Sequence, residues 1–173
     1  MPAGQTPSQT VGPYFALGLF GRQANELAAP GTPGAVHVTG RVLDGAGEPV
    51  PDAMVEVWQA GEEGRYRNDF GWGRSGCDAE GRFSFLTVKP GNVADGSGGW
   101  QAPHLMVMVF ARGLLKPVLT RMYFPDEDVA NAEDHVLSAV VDGSSSLIAR
   151  PTDGGLEFDV RLQGEDETVF FAV

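Results

Sequence analysis

The sequence predicts an all-β protein, an antiparallel β-sandwich with an irregular N-terminal arm and one short helix. Several segments alternate apolar and polar residues with the two-residue period of a half-buried strand. The 24 glycines and 12 prolines of the 173-residue chain supply the tight turns that join short strands. Only one segment repeats apolar residues at helical spacing. The length predicts a single domain over residues 1–173.

The N-terminal arm, residues 1–35, is expected to pack on the sandwich or on a partner chain. Prolines interrupt it at five positions, which argues against a regular element. It also carries an apolar patch from Tyr14 to Phe20, with two Phe and two Leu in seven residues. A solvated tail does not normally expose such a patch, so we expect the arm to contribute to a subunit interface.

The first half of the chain is organised around residues 36–60, predicted to be two strands in a hairpin-like unit. Residues 36–43 and 54–58 alternate as strands do, and the Gly-rich turn from Asp44 to Gly47 lies between them. A loop is predicted from Glu62 to Gly76. A third strand at 82–88 follows, and Lys89-Pro90-Gly91 ends it and begins another loop.

The second half is predicted to contain four further strands and the helix. Residues 104–110 are nearly all apolar, which favours a strand covered on both faces. The helix is predicted after Pro125, because acidic residues crowd its first turn and small apolar residues recur at helical spacing. In order, these elements are strands at 104–110 and 118–124, the helix at 126–142, and strands at 156–163 and 168–173.

Charge and composition exclude several classes of function. The net charge is −11 and the 12 basic residues are scattered, which argues against a nucleic-acid partner. The N-terminus lacks a basic stretch followed by an apolar core, and no apolar run approaches membrane length. We therefore expect a cytoplasmic protein with no membrane partner. The single cysteine excludes an internal disulfide.

Several motifs taken together resemble the intradiol ring-cleavage dioxygenases. They follow one another along nearly the whole chain: TPSQTVGPY at 6–14, VTGRVLDGAGEPVPDAMVEVWQA at 38–60, GRY at 64–66, GRFSF at 81–85, TVKPG at 87–91, PH at 103–104 and LEFDVRLQGEDETVFF at 156–171. The resemblance implies a β-sandwich and an activity that depends on a ferric ion held by two tyrosinates and two histidines. Phenolate oxygen and neutral imidazole suit this hard cation.

The resemblance also implies that half of the ligand set has been lost. The family's first tyrosine and first histidine match Tyr66 and His104, but its second tyrosine falls on Val93 and its second histidine on Met106. An arginine expected three residues before the first histidine is replaced by Gln101. Two ligands do not hold a mononuclear iron in a catalytic geometry. We expect no metal in this chain, and Fe(III) in a homologous beta subunit that is its partner.

The residues that contact substrate in the family are expected to be retained in this chain more fully than the metal ligands. In a heteromeric member of the family, an N-terminal segment and one arginine of the non-catalytic chain reach the partner's active site. The matching substrate-binding residues are Thr10, Gly12, Pro13, Tyr14 and Arg112. The resemblance implies protocatechuate, an aromatic carboxylate, as the substrate. A guanidinium would attract its carboxylate locally in a chain whose net charge repels it. This hypothesis requires a higher-order hetero-oligomer.

The same residues also have plainer interpretations. Tyr66 on its own suggests a partly buried ring with a hydrogen-bonded hydroxyl, His104 a structural histidine, and Arg112 a surface arginine at a strand end. The chain as a whole is also compatible with a β-sandwich binding or scaffold module without an enzymatic partner. A self-sufficient dioxygenase is opposed by Val93 and Met106.

Overall fold

Two sheets form the layers of the fold in the computed structural model, which describes residues 18–19 and 24–172. In chain order the strands are β1 (Ala35–Leu43), β2 (Met54–Gln59), β3 (Trp72–Gly76), β4 (Arg82–Val88), β5 (Val93–Ala94), β6 (Trp100–Gln101), β7 (His104–Phe110), β8 (Val118–Tyr123), β9 (Arg150–Thr152), β10 (Gly155–Glu157) and β11 (Val160–Arg161). The helices are α1 (Asp128–Glu133) and α2 (His135–Ser138), followed by a 3-10 turn at Ser144–Leu147.

The first sheet is built on β1, which pairs with β4, β10 and β11, and β9 adds to β10. The second sheet has the order β3-β2-β7-β8, and β5 and β6 form a separate ribbon. Inward-facing side chains of both sheets make one core, with Val38, Val42, Phe83 and Phe85 from the first sheet and Val55, Val57, Leu105, Val107 and Val109 from the second. The predicted all-β sandwich is confirmed.

Not every pairing is antiparallel. β1 pairs with β10 and with β11 in parallel. Between those two strands, the Phe158 backbone N–H still donates to Thr39 O (2.8 Å), but the Asp159 carboxylate accepts from Arg41 N (2.9 Å) where the ladder would continue. This side-chain bond divides the single strand predicted at 156–163 into two short strands.

The predicted hairpin of residues 36–60 is wrong in its pairing. Both predicted strands exist, but β1 pairs with β4 while β2 pairs with β3 and β7. The connection between them carries the chain from one sheet to the other. Alternation of apolar and polar residues indicates which face of a strand is buried, but it does not determine which other strand it pairs with. Because both apolar faces meet the same core, the two strands lie in opposite layers.

Two further strand predictions are corrected. Residues 72–76 were predicted as loop but form β3, whose glycines hide the alternation; a Cβ on Gly73 would lie 2.4 Å from Leu27 Cδ1. The strand predicted at 168–173 is not formed in the described residues, where Phe171 makes only an isolated bridge to Leu119. Thr168 instead exchanges two hydrogen bonds with Arg161: Arg161 N donates to Thr168 Oγ1 (2.9 Å), and Thr168 N donates to Arg161 O (3.0 Å). These bonds direct the segment across the end of the sheet.

The predicted single helix at 126–142 is two short helices. Asp134 separates them with an extended backbone (φ −69°, ψ 117°), and its carboxylate accepts hydrogen bonds from the N–H groups of Val136 and Leu137. This is the capping arrangement that starts a new helix. Leu137 packs with Tyr123 and Ala102 in a second apolar cluster. Within the described chain, no helix is long and apolar enough to span a bilayer.

Candidate functional site

The loop that carries Tyr66 is held against the turn after β4 by backbone contacts. Gly91 N–H donates to Gly61 O (3.0 Å). A Cβ on Gly64 would lie 1.9 Å from the carbonyl oxygen of Asn92, and its φ of 74° also favours glycine. The two segments therefore approach more closely than residues with side chains would allow.

The start of this loop is fixed by a buried amide. Gln59 Nε2 donates to Val88 O (2.9 Å), and Thr87 Oγ1 donates to Gln59 Oε1 (2.6 Å). The amide thus joins β2 of one sheet to β4 of the other. Directly before it, Trp58 stacks on Tyr66 with ring centroids 6.1 Å apart and planes 9° apart. The Tyr66 ring is held flat on the indole.

His104, the first residue of β7, is buried and has a defined tautomer. Its Nδ1 lies 2.7 Å from Ala102 O, and since a carbonyl only accepts, Nδ1 carries the proton. Nε2 then presents its lone pair 3.5 Å from the Tyr66 hydroxyl. Burial disfavours the imidazolium and lowers the pKa of His104 to about 4. The imidazole is therefore neutral at physiological pH.

Asp134 holds this histidine in place through the backbone. Its carboxylate accepts a hydrogen bond from Ala102 N (2.8 Å), the residue whose carbonyl binds His104, and lies 3.4 Å from the Tyr123 hydroxyl. The Tyr123 ring packs 5.7 Å from the imidazole. Burial raises the pKa of Tyr123 to about 12, so its hydroxyl stays protonated.

A cation completes the site. Arg121 Nη1 donates to Gln101 Oε1 (2.9 Å) and to the Tyr123 hydroxyl (3.2 Å). Arg121 is paired across β7 and β8 with Met106, and Gln101 is paired across β5 and β6 with Val93. Together with the Tyr66–His104 contact, these pairings bring Tyr66, Val93, His104 and Met106, the positions that the resemblance matches to metal ligands, into one neighbourhood.

Three members of the site were not found by sequence reasoning: Arg121, Tyr123 and Asp134. Arg121 could have been found from the sequence, because it is the charged residue of an otherwise largely apolar strand. Asp134 gave no signal, because it lies inside a segment predicted as one continuous helix.

The residues at the four ligand positions do not fit a ferric ion. Val93 offers only hydrocarbon and Met106 a soft thioether, while Tyr66 and His104 face each other. In the part of the chain that the structure describes, no group of three or more His, Cys, Asp or Glu is placed to hold a metal.

Arg112 lies just beyond the opposite end of β7 from His104, and β7 alone spans roughly 20 Å at about 3.3 Å per residue. Its side chain is 71% exposed, and its Nε forms an ion pair with Asp52 in the connection between β1 and β2. The structure therefore separates Arg112 from the former ligand positions. Thr10, Gly12, Pro13 and Tyr14 lie outside the described residues.

The low pKa of His104 predicts a component of acid sensitivity. In the unfolded chain the imidazole titrates near its ordinary pKa of 6.5. As pH falls from about 6.5 to 4, the unfolded state therefore binds a proton that the folded state does not bind. Stability should fall through that window by on the order of 2–3 kcal/mol. Urea unfolding at several pH values should show this slope reduced in His104→Gln. The exposed His135→Gln variant should keep it, and identical slopes in all three proteins would contradict the assignment.

A family model described as "Dioxygenase" matches residues 12–164. The protocatechuate 3,4-dioxygenase alpha chain of Burkholderia cepacia is 44% identical over 196 aligned positions, covering 98% of each chain. The beta chain from that organism is 37% identical over 156 positions, covering 77% of this chain and 66% of its own. The dioxygenase domain of a carbohydrate-binding fusion protein from Streptomyces sp. SirexAA-E gives a TM-score of 0.63 at 27% identity, covering 94% of this chain and 100% of that domain.

Proposed function

The chain belongs to the intradiol ring-cleavage dioxygenase family, and from that premise we propose that it is the non-catalytic alpha subunit of a protocatechuate 3,4-dioxygenase. The observation that carries the proposal is the site itself. Supporting it, Tyr66 contacts His104, Val93 pairs with Gln101 and Met106 pairs with Arg121, and only Tyr66 and His104 of the four matched positions offer atoms that suit iron. A chain of this kind needs a partner for the chemistry.

The family is iron-dependent, and a beta chain is among the relatives of this protein. In the proposed complex the Fe(III) belongs to the beta subunit, and the alpha chain holds none. The bond between the two hydroxyl-bearing carbons of protocatechuate is broken, and both atoms of O2 enter the product, 3-carboxy-cis,cis-muconate. The alpha chain completes the pocket and builds the higher-order hetero-oligomer.

The alpha chain's part in substrate binding is assigned to Arg112 and to the arm residues Thr10, Gly12, Pro13 and Tyr14. A guanidinium has five donors, and the ion pair with Asp52 engages the Nε side of Arg112. The outer Nη groups remain for a substrate carboxylate, and the exposure of the side chain permits contact with another subunit. Asp52 would fix the direction of the fork.

Replacing Arg112 with alanine should raise KM for protocatechuate about tenfold in the heteromer, because a charge-assisted hydrogen bond to the carboxylate is lost. For catechol, which has no carboxylate, KM should change little. Steady-state kinetics with both substrates measures the difference. Arg82→Ala removes another exposed, ion-paired guanidinium and serves as the control. Equal effects of Arg112→Ala on both substrates would contradict the assignment.

Expression of the chain alone and with its beta chain tests the proposed function. We expect ferric iron and ring-cleaving activity only in the complex, and co-purification of the two chains. Stoichiometric iron with activity in the chain alone would refute a non-catalytic role. Failure of a beta chain to co-purify would favour the binding or scaffold module instead.

A further inference from the structure

The outer face of the second sheet carries a row of four side chains from four adjacent strands. Trp72 pairs with Trp58, Trp58 pairs with Met106, and Met106 pairs with Arg121. The two indoles are 42% and 38% exposed. We refer to these four residues as the outer row. It presents a flat, polarisable surface that ends in a positive charge.

A shallow cavity of about 160 Å³ lies on this surface. Most of its lining is aromatic, thioether or aliphatic, from Trp58, Trp72, Met106, Met108 and Leu119. Val57 and the carboxylate of Glu56 complete the lining. The Glu56 charge is already balanced, since Arg74 donates to it at 2.8 Å. The cavity therefore offers a neutral apolar floor, and methionine sulfur against an indole suits a flat aromatic ring.

Among the described residues, Arg121 lacks the carboxylate partner that several other arginines have. Arg41, Arg74 and Arg150 each bind a carboxylate. In the described residues Arg121 has no carboxylate within ion-pair distance, and its hydrogen bonds go to the neutral Gln101 amide and Tyr123 hydroxyl through Nη1. Its guanidinium carbon also lies 6.0 Å from the centre of the Phe171 ring. These contacts of Arg121 are therefore all with neutral groups, and within the residues that the structure describes its positive charge is not paired with an anion.

The nearby acid does not meet that need. Asp134 reaches Arg121 only through the Tyr123 hydroxyl, and its oxygens already accept from three backbone N–H groups. The other polar group at this end of the row is the His104–Tyr66 pair, whose 3.5 Å contact is long for a hydrogen bond. His104 is buried and neutral, so this pair does not balance the charge of Arg121 either.

We propose that the outer row is a binding site for a small aromatic carboxylate, which places its ring over Met106 beside Trp58 and its carboxylate on Arg121. The ligand class follows from two observations: Met106 lines the apolar cavity, and Arg121 is the cross-strand neighbour of Met106. The site lies within this chain, so its test does not depend on the activity of the proposed heteromer.

Titration of the full chain with benzoate, and with neutral benzamide as its isostere, tests the site. Indole N–H signals in NMR spectra report position, because Trp58 and Trp72 belong to the outer row and Trp100 lies in the β5–β6 ribbon. We expect benzoate to shift the Trp58 and Trp72 signals more than the Trp100 signal. Benzamide should bind about tenfold more weakly, because it cannot pair with the guanidinium. Equal affinity for the two compounds, or shifts confined to Trp100, would overturn the proposal.

Substitutions distinguish a specific contact of the Arg121 guanidinium from a general effect of net charge on ligand binding. Arg121→Gln should weaken benzoate binding about tenfold with benzamide unchanged, and Arg121→Lys should restore part of the loss. Arg161→Gln removes a positive charge elsewhere and should leave both affinities alone. Unchanged benzoate affinity in Arg121→Gln would overturn the assignment. The same titration in the complex provides another test, because complete protection of Trp58 and Trp72 by the beta chain would identify this face as a subunit contact and would also overturn it.

Discussion

Asp134→Ala is expected to lower the free energy of unfolding by about 4 kcal/mol, as the loss of a buried acceptor with several donors commonly does. The carboxylate is fully buried and accepts from the N–H groups of Ala102, Val136 and Leu137. Alanine would leave these donors without an acceptor and remove the cap of α2. Urea unfolding of the full chain at neutral pH measures the change.

Two further substitutions give this prediction its controls. Asp134→Asn keeps an oxygen acceptor and should lose less stability than the alanine variant. Asp153→Ala removes an exposed carboxylate and should stay within about 0.5 kcal/mol of the wild type. A loss below about 1 kcal/mol in Asp134→Ala would show that the network does not hold the end of β7. The signals of His104 should also move in Asp134→Ala, because Ala102 connects the two residues.

Gly40→Ala is expected to cost at least about 3 kcal/mol, or to prevent folding, because the new methyl group has no space. A Cβ at this position would lie 1.9 Å from the carbonyl oxygen of Phe158 and 2.7 Å from Cζ of Phe83. The first of these atoms is backbone, so relief requires β1 to move away from the segment between β10 and β11. The yield of soluble chain and its urea midpoint measure the effect.

Gly154→Ala is the matched control, since nothing lies within 4 Å of its Cβ and its φ is not in the left-handed region. It should be neutral or slightly stabilising, because alanine restricts the unfolded chain. If both variants were equally stable, the close approach of Phe158 to β1 would be wrong.

The alternation of apolar residues predicted most of the fold because burial of one strand face leaves a direct trace in the sequence. It located β1, β2, β4, β7 and β8 and the two-layer core. It did not give the partner of β1, because pairing is decided by which faces share the core. It also missed β3, where Gly73 meets Leu27 in place of a side chain.

The candidate site was predictable only in part for a similar reason. Tyr66, Val93, His104 and Met106 were identified from motifs, and the structure brings them into one neighbourhood, while their roles remain proposals. The network that supports them could not be predicted, because Asp134 and Arg121 act through contacts between segments distant in sequence. Asp134 in particular was hidden inside a helical pattern that its own capping bonds interrupt.

The crossover between β1 and β2 makes loop length a determinant of substrate affinity in the proposed heteromer. Asp52 sits in that connection and contacts Arg112 at the far end of β7, so the spacing from β1 sets where the carboxylate lies. One residue inserted before Asp52 would shift it by up to about 3.5 Å, more than an ion pair tolerates. The length of a turn that touches no ligand would then govern how the guanidinium is aimed.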